Sequence, residues 1–198
     1  TMKHVGVNVA SDSFMTACYS GALGGIVLIT ADDPTLHSSQ NEQDNRFYGM
    51  QALIPTFEPS NVQESKDMLT YAFEFSEKYQ TIVLFRTTTR LNHARGDLTL
   101  GELKKLDRPY KFDESHAKRW VNSPINAREN KKELLLRLEK VAQAAEEFPF
   151  NQIAKIDGAK VGIVSSGIPY AHVKDALELL GLDTKVSLFK LGIVFPLP

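Results

Sequence analysis

The sequence predicts an α/β fold built on a parallel sheet, and three observations predict it. The apolar runs at 25–30 (GIVLIT) and 81–85 (TIVLF) are continuous rather than alternating, as strands buried on both faces are. A helical pattern lies between them, which gives a strand–helix–strand order. The same alternation returns after Asp157.

Each element follows from local signals. Residues 3–12 are polar and open the chain. Ser11 or Asp12 caps a short helix that holds Phe14, Met15, Ala17 and Cys18, and Gly21 ends it. The strand at 25–30 is followed by a long polar stretch to Arg46. Residues 57–59 make a short extended piece, and Ser60 with Gln63 forms a capping-box pattern. The helix begun there sets Val62, Met68, Leu69, Ala72, Phe73 and Phe75 on roughly one face and runs to Tyr79. The strand at 81–85 follows. Residues 97–157 are charged and show no convincing strand, and within them 126–147 reads as one long helix. Leu134, Leu138, Val141 and Ala145 form its apolar stripe, widened by Leu135 and Ala142. That stripe is expected to pack on its own domain; a face for a partner is the other reading. Residues 160–165 form a strand, Gly167-Ile168-Pro169 a turn with Pro169 near the first helical turn, 170–180 a helix closed by Gly181, and 185–191 a strand. This βαβ unit opens a second α/β domain. The expected division is therefore 1–97, 98–157 and 158–198.

Composition narrows the classes. The chain has 198 residues, 42% hydrophobic and 24% charged, as in a globular protein of one domain or somewhat more. A formal net charge of -1 gives no electrostatic case for nucleic acid or an anionic membrane. No apolar run approaches the roughly 20 residues of a membrane helix, and no signal-peptide pattern follows Thr1, so a cytoplasmic setting is expected. The single cysteine, Cys18, excludes an internal disulfide and any four-cysteine cluster within the chain; it reads as a small buried side chain. The opening stretch and the closing Phe195-Pro196-Leu197-Pro198 read as cuts within a longer polypeptide.

The functional signal lies in two polar loops. One leaves the strand at 25–30 and spans 31–46; the other leaves the strand at 81–85 and spans 86–96. Ligands of open α/β sheets bind beyond the carboxyl ends of the strands. If both strands are parallel members of one sheet, the loops share a rim that gathers His37, His93, Arg46, Arg86, Arg90, Arg95 and many hydroxyls and amides. Such a rim suits an anionic, hydrogen-bonding ligand. Blander readings stand beside this one. Asp32-Asp33-Pro34 is ordinary turn chemistry, His37 to Gln40 would cap a following helix, and Thr87 to Thr89 would continue a strand. His116 and His172 read as solvated side chains. Asp32, His37 and His93 have no metal-site spacing to support them. No nucleophile elbow or phosphate loop is present, and Ser165-Ser166-Gly167 reads as a tight turn before a helix rather than an anion site.

Specific motifs add a family. Residues 3–12 (KHVGVNVASD), 31–34 with 37–46 (ADDP, HSSQNEQDNR), 86–90 with 93–96 (RTTTR, HARG) and the tail 190–198 occur in the order and spacing of one family. The chain resembles an internal fragment of the large (alpha) subunit of indolepyruvate:ferredoxin oxidoreductase, a thiamine-diphosphate-dependent 2-oxoacid:ferredoxin oxidoreductase. The resemblance implies a pyrimidine-type thiamine-diphosphate-binding domain, incomplete at its N-terminus, and the first βαβ unit of a transketolase-C-terminal-like domain. It implies ferredoxin-linked oxidative decarboxylation of an arylpyruvate to an aryl-acyl-CoA, with Mg, thiamine diphosphate, [4Fe-4S] clusters and CoA in the full-length enzyme. The implied partners are a small (beta) subunit in a hetero-oligomer, and ferredoxin; the implied source is anaerobic. The activating glutamate, the diphosphate-binding domain and the cluster cysteines fall outside this chain, so the fragment alone is expected to be inert. His4 and Asn8 are expected near the cofactor. His37, Ser38, Gln40, Arg46, Thr89, Arg90 and His93 are expected at the substrate entrance, with Arg90 or Arg46 on a substrate carboxylate. Two alternatives stay open: the same chemistry on pyruvate, a branched-chain 2-oxoacid or 2-oxoglutarate, and a non-catalytic binding or assembly module of the same fold.

Overall fold

In a computed structural model, residues 1–102 and 114–198 are described, the side chains of Ser115 and His116 excepted. The reading of His116 as solvated therefore lies outside the described residues. The elements run β1 (Met2–Lys3), α1 (His4–Val9), α2 (Ser11–Ser20), β2 (Val27–Asp32), α3 (Arg46–Ala52), β3 (Thr56–Phe57), α4 (Val62–Tyr79), β4 (Val83–Thr88) and α5 (Thr89–His93). A 3₁₀ helix (Glu114–Trp120) precedes α6 (Pro124–Glu146), β5 (Gln152–Ala154), β6 (Val161–Ser166), α7 (Gly167–Leu179), β7 (Val186–Leu191) and β8 (Ile193–Phe195).

The larger sheet has the order β1-β2-β4-β3-β8. Its first four strands are mutually parallel and β8 is antiparallel at the edge. The predicted α/β class with a parallel sheet is the observed one. β2 and β4 are direct neighbours, with Thr30 opposite Arg86 and Asp32 opposite Thr88, so the two polar loops do leave one rim. A smaller sheet, β5-β7-β6, pairs β6 and β7 in parallel through α7, the expected βαβ unit. β8 leaves that unit and pairs with β3, and the Glu58 amide donates to the Gly192 carbonyl at 2.9 Å.

The core explains the helices. Phe57 of β3 is fully buried against Phe75 and Phe148, with ring centroids at 5.2 and 4.5 Å. Met68, Ala72 and Phe75 give α4 its buried face, and Leu134, Val141 and Ala145 do so for α6. α6 packs on α2 and α4, so its stripe serves its own fold. Gly21 ends α2 at φ 71, a left-handed conformation that a side chain would strain. A Cβ on Gly49 would meet Thr56 Oγ1 at 1.9 Å, so a glycine is what lets α3 lie against β3.

Five local expectations are corrected. The cap of α4 is Asn61, whose side chain accepts from the Glu64 amide, and Glu64 reaches back to the Ser60 amide and hydroxyl; the box is one residue further along than Ser60 with Gln63. Leu135 and Phe73 are exposed, because each lies beyond the stripe that α6 or α4 buries. Residues 4–9 form a helix rather than an irregular polar stretch. The segment 97–157 does hold a strand, β5, an exposed edge that pairs antiparallel with β7. Finally, 37–40 cap no helix: α3 begins only at Arg46.

Candidate active-site rim

The carboxyl ends of β1, β2 and β4 lie side by side, and each carries polar groups into one rim. The loop after β2 is folded around Asp33. Its carboxylate accepts from the Ser38 amide at 2.9 Å, the Ser39 hydroxyl at 2.5 Å and the Thr89 hydroxyl at 2.8 Å. These three bonds hold the carboxyl well below the usual carboxylate range. Thr35 and Leu36 both adopt positive φ, 65 and 59, a backbone cost that Asp33 offsets by closing the turn. Lys3 Nζ donates to the Ser38 carbonyl, and His4 Nε2 lies 3.0 Å from the Asn41 carbonyl. So β1 and α1 anchor the same loop.

Beneath the loop lies a buried charge layer. Arg86 of β4 is 6% exposed; Asp32 and Glu58 are 1% and 2% exposed. Arg86 Nε donates to Asp32 at 2.7 Å and Nη1 donates to Glu58. Its Nη2 lies 3.9 Å from Asp44. Burial opposes the guanidinium charge, yet Glu58 and Asp32 hold it above its usual range. Burial also pushes Asp32 up, with Arg86 pulling against that shift. Glu58 accepts from Ser166 at 2.7 Å, so this layer ties the second unit to the first. Lys190 to Glu64 is a second buried ion pair across the same junction.

A cavity of about 350 Å³ opens on this layer. It gathers His37, Arg46, Thr89 and Arg90 among the expected site residues. Outside its wall lie Ser38 and Gln40 on the loop after β2, His93 at the end of α5, and, on α1, His4, which is fully buried, and Asn8, which is exposed. Arg46 is already committed: its guanidinium holds both oxygens of Asp44 at 2.5 to 2.9 Å. With Arg86 and Arg46 facing Asp32, Asp44 and Glu58, the layer has no cation to spare. Arg90 is exposed in the cavity wall and makes no ion pair among the described residues.

Sequence reasoning finds Arg86 but misplaces it, and misses one contributor. Arg86 is a strand residue, not a loop one, and its side chain floors the cavity. His172 is exposed, as expected, yet with Ile168 and Pro169 it lines the cavity from the start of α7. Thr87 and Thr88 continue β4 as their β propensity allows. Cys18 is buried, and burial pushes its thiol up to about 12, so it is an inert core group.

No family model matches the sequence. The fold is shared with the chain of a 2-oxoglutarate:ferredoxin oxidoreductase from Magnetococcus marinus, solved with 2-oxoglutarate, coenzyme A and succinyl-CoA bound. That likeness has a TM-score of 0.68 at 15% identity and covers all of this chain and 42% of the other. Sequence relatives are more specific. Over its whole length the chain is 50% identical to indolepyruvate oxidoreductase subunit IorA of Pyrococcus abyssi, 46% to that of Archaeoglobus fulgidus and 44% to that of Methanothermobacter marburgensis. The likeness to these subunits runs through the whole of this chain, which spans 31 to 32% of their length. Among the described residues no helix is long and apolar enough to cross a membrane.

Proposed function

We propose that this chain is an internal segment of the large subunit of a ferredoxin-linked arylpyruvate oxidoreductase, and that it forms one wall of the site where the 2-oxoacid reacts. The observation that carries the reading is the rim cavity: it opens at the carboxyl end of β4, under the loop that leaves its neighbour β2, and Arg90 is the guanidinium in its wall that has no ion pair among the described residues. Arg90 binds the substrate carboxylate through its planar fork. Thr89 and His37 flank it, and Ile168 and Pro169 supply the apolar side that an aryl group prefers. The small subunit, ferredoxin, CoA and the iron–sulfur clusters belong to the complete cytoplasmic complex.

The rim fits one half of thiamine diphosphate. His4 Nδ1 is a buried ring nitrogen without a partner at the end of β1, and Asn8 offers an exposed amide two positions beyond Gly6. Both suit the hydrogen-bonding edge of an aminopyrimidine. The diphosphate end finds no such fit: among the described residues no group of three His, Cys, Asp or Glu side chains is placed for a metal ion, and the charge layer under the cavity has carboxylates in excess. When bound, the cofactor supplies the electron sink for decarboxylation. The chain's own part is to orient the substrate through Arg90 and to keep the loop at 31–46 fixed through Asp33 and His4.

The test uses the full-length subunit assembled with its small partner. Arg90→Ala is expected to raise KM for the arylpyruvate by about 10-fold or more, the loss of one charge-assisted hydrogen bond. An unchanged KM removes Arg90 from the substrate site. The purified 198-residue chain is expected to show no turnover, and measurable viologen reduction by it contradicts that part of the reading.

A further inference from the structure

A cavity of about 860 Å³ lies at the other ends of the strands, between the end of α4, the 3₁₀ helix and α6. Lys78, Lys118, Arg119, Arg137 and Lys140 line it; Glu129 and Glu133 are the acidic side chains in its wall. Two of the cations have a structural task. Arg137 Nη2 donates to the Cys18 and Tyr19 carbonyls at 3.0 and 2.9 Å, and Arg119 Nε donates to the Ser20 carbonyl. They cap the end of α2, where a cation is favourable.

That task leaves charge over. A helix end carries about half a negative charge, and two guanidiniums bring two positive ones. Neither forms an ion pair with a carboxylate among the described residues. Arg137 is 7% exposed, and its Nε is buried without a hydrogen-bond partner. Burial, and then the charge of Arg119, hold its guanidinium down to about 10, against the opposing pull of Glu133. Lys118 and Lys140 stand exposed at the same opening.

We propose that this cavity binds a small phosphate-bearing anion, gripped by Arg119 and Arg137 and closed over by Lys118 and Lys140. Guanidinium forks match phosphate oxygens, and lysines add mobile point charges. The volume accommodates a ligand up to nucleotide size.

The probe is inorganic pyrophosphate, added to the full-length subunit assembled with its small partner and already saturated with thiamine diphosphate. Calorimetric titration at constant ionic strength is expected to give a saturable heat change with Kd at or below about 1 mM. The double variant Lys118→Gln, Lys140→Gln leaves the α2 cap intact, so its Tm without pyrophosphate should match the wild type. Its affinity should fall by about 10-fold or more. Absence of saturation overturns the site. So does a change that sulfate reproduces at matched ionic strength, or one the double variant retains.

Discussion

Replacing Arg86 by methionine removes the central cation from the buried ionic layer under the rim. Asp32 would keep only the Asn45 amide, at 3.0 Å, and Glu58 would keep the Ser166 hydroxyl, at 2.7 Å. Both carboxylates are almost fully buried, and breaking a buried pair by deleting one partner costs about 3–5 kcal/mol. For a chain of this size, each kcal/mol moves Tm by about 2–4 °C, so the expected fall is about 6–20 °C. Urea and thermal unfolding followed by circular dichroism measure it. Arg86→Lys should fall between, because it restores the charge without the fork that reaches two carboxylates. The pH dependence has a definite sign. Burial pushes Asp32 up, and without Arg86 to pull against that shift the folded state binds more protons than the unfolded one above the ordinary value near 4, so the penalty grows as pH rises. The gap between variant and wild type should therefore narrow toward pH 4. A loss below about 1 kcal/mol at pH 7 would refute the claim that this layer locks the rim to the second unit.

Other perturbations have equally definite outcomes. Asp33 is held below its ordinary 3.8 by its loop bonds, so its stabilising effect is present above that pH and lost as pH falls below it; the Ser38 amide signal in NMR should titrate with a midpoint under 3.8, and a midpoint above it contradicts the wrap. Asn61→Ala should destabilise by about 1 kcal/mol and Gln63→Ala by no more than about 0.5 in the same urea assay; the reverse order would restore the cap at Ser60. Phe57→Ala should cost about 3–5 kcal/mol by opening the aromatic cluster of β3, α4 and Phe148, and a cost under about 1.5 would show that the cluster collapses to fill the space.

What could be read in advance followed from local chemistry. The two buried strands declared themselves as unbroken apolar runs, but both extend two or three residues further than the runs do. Ala31 and Asp32 continue β2, and Arg86 to Thr88 continue β4, because Asp32 and Arg86 satisfy one another across the ladder. That bond joins residues 54 apart, and no local period carries it. β5 escaped because its three residues are an exposed edge without alternation. α1 escaped because HVGVNV is rich in β-branched residues with low helix preference. At the site, the shared rim was legible from strand alternation, and Thr89, Arg90, His37 and Arg46 do meet there. The capture of Arg46 by Asp44 and the arrival of His172 depend on loop path and on the contact between units, which composition and spacing do not encode. That geometry moves the expected carboxylate contact from either arginine to Arg90.

The central claim is best tested on the full-length subunit, purified anaerobically with its small partner and loaded with clusters. Viologen reduction would be followed with thiamine diphosphate, Mg²⁺ and CoA, comparing indolepyruvate with pyruvate. The account predicts reduction that strongly favours indolepyruvate. Preference for pyruvate would keep the chemistry and discard the aryl substrate, while no reduction with any 2-oxoacid would contradict the account and leave a binding module of the same fold.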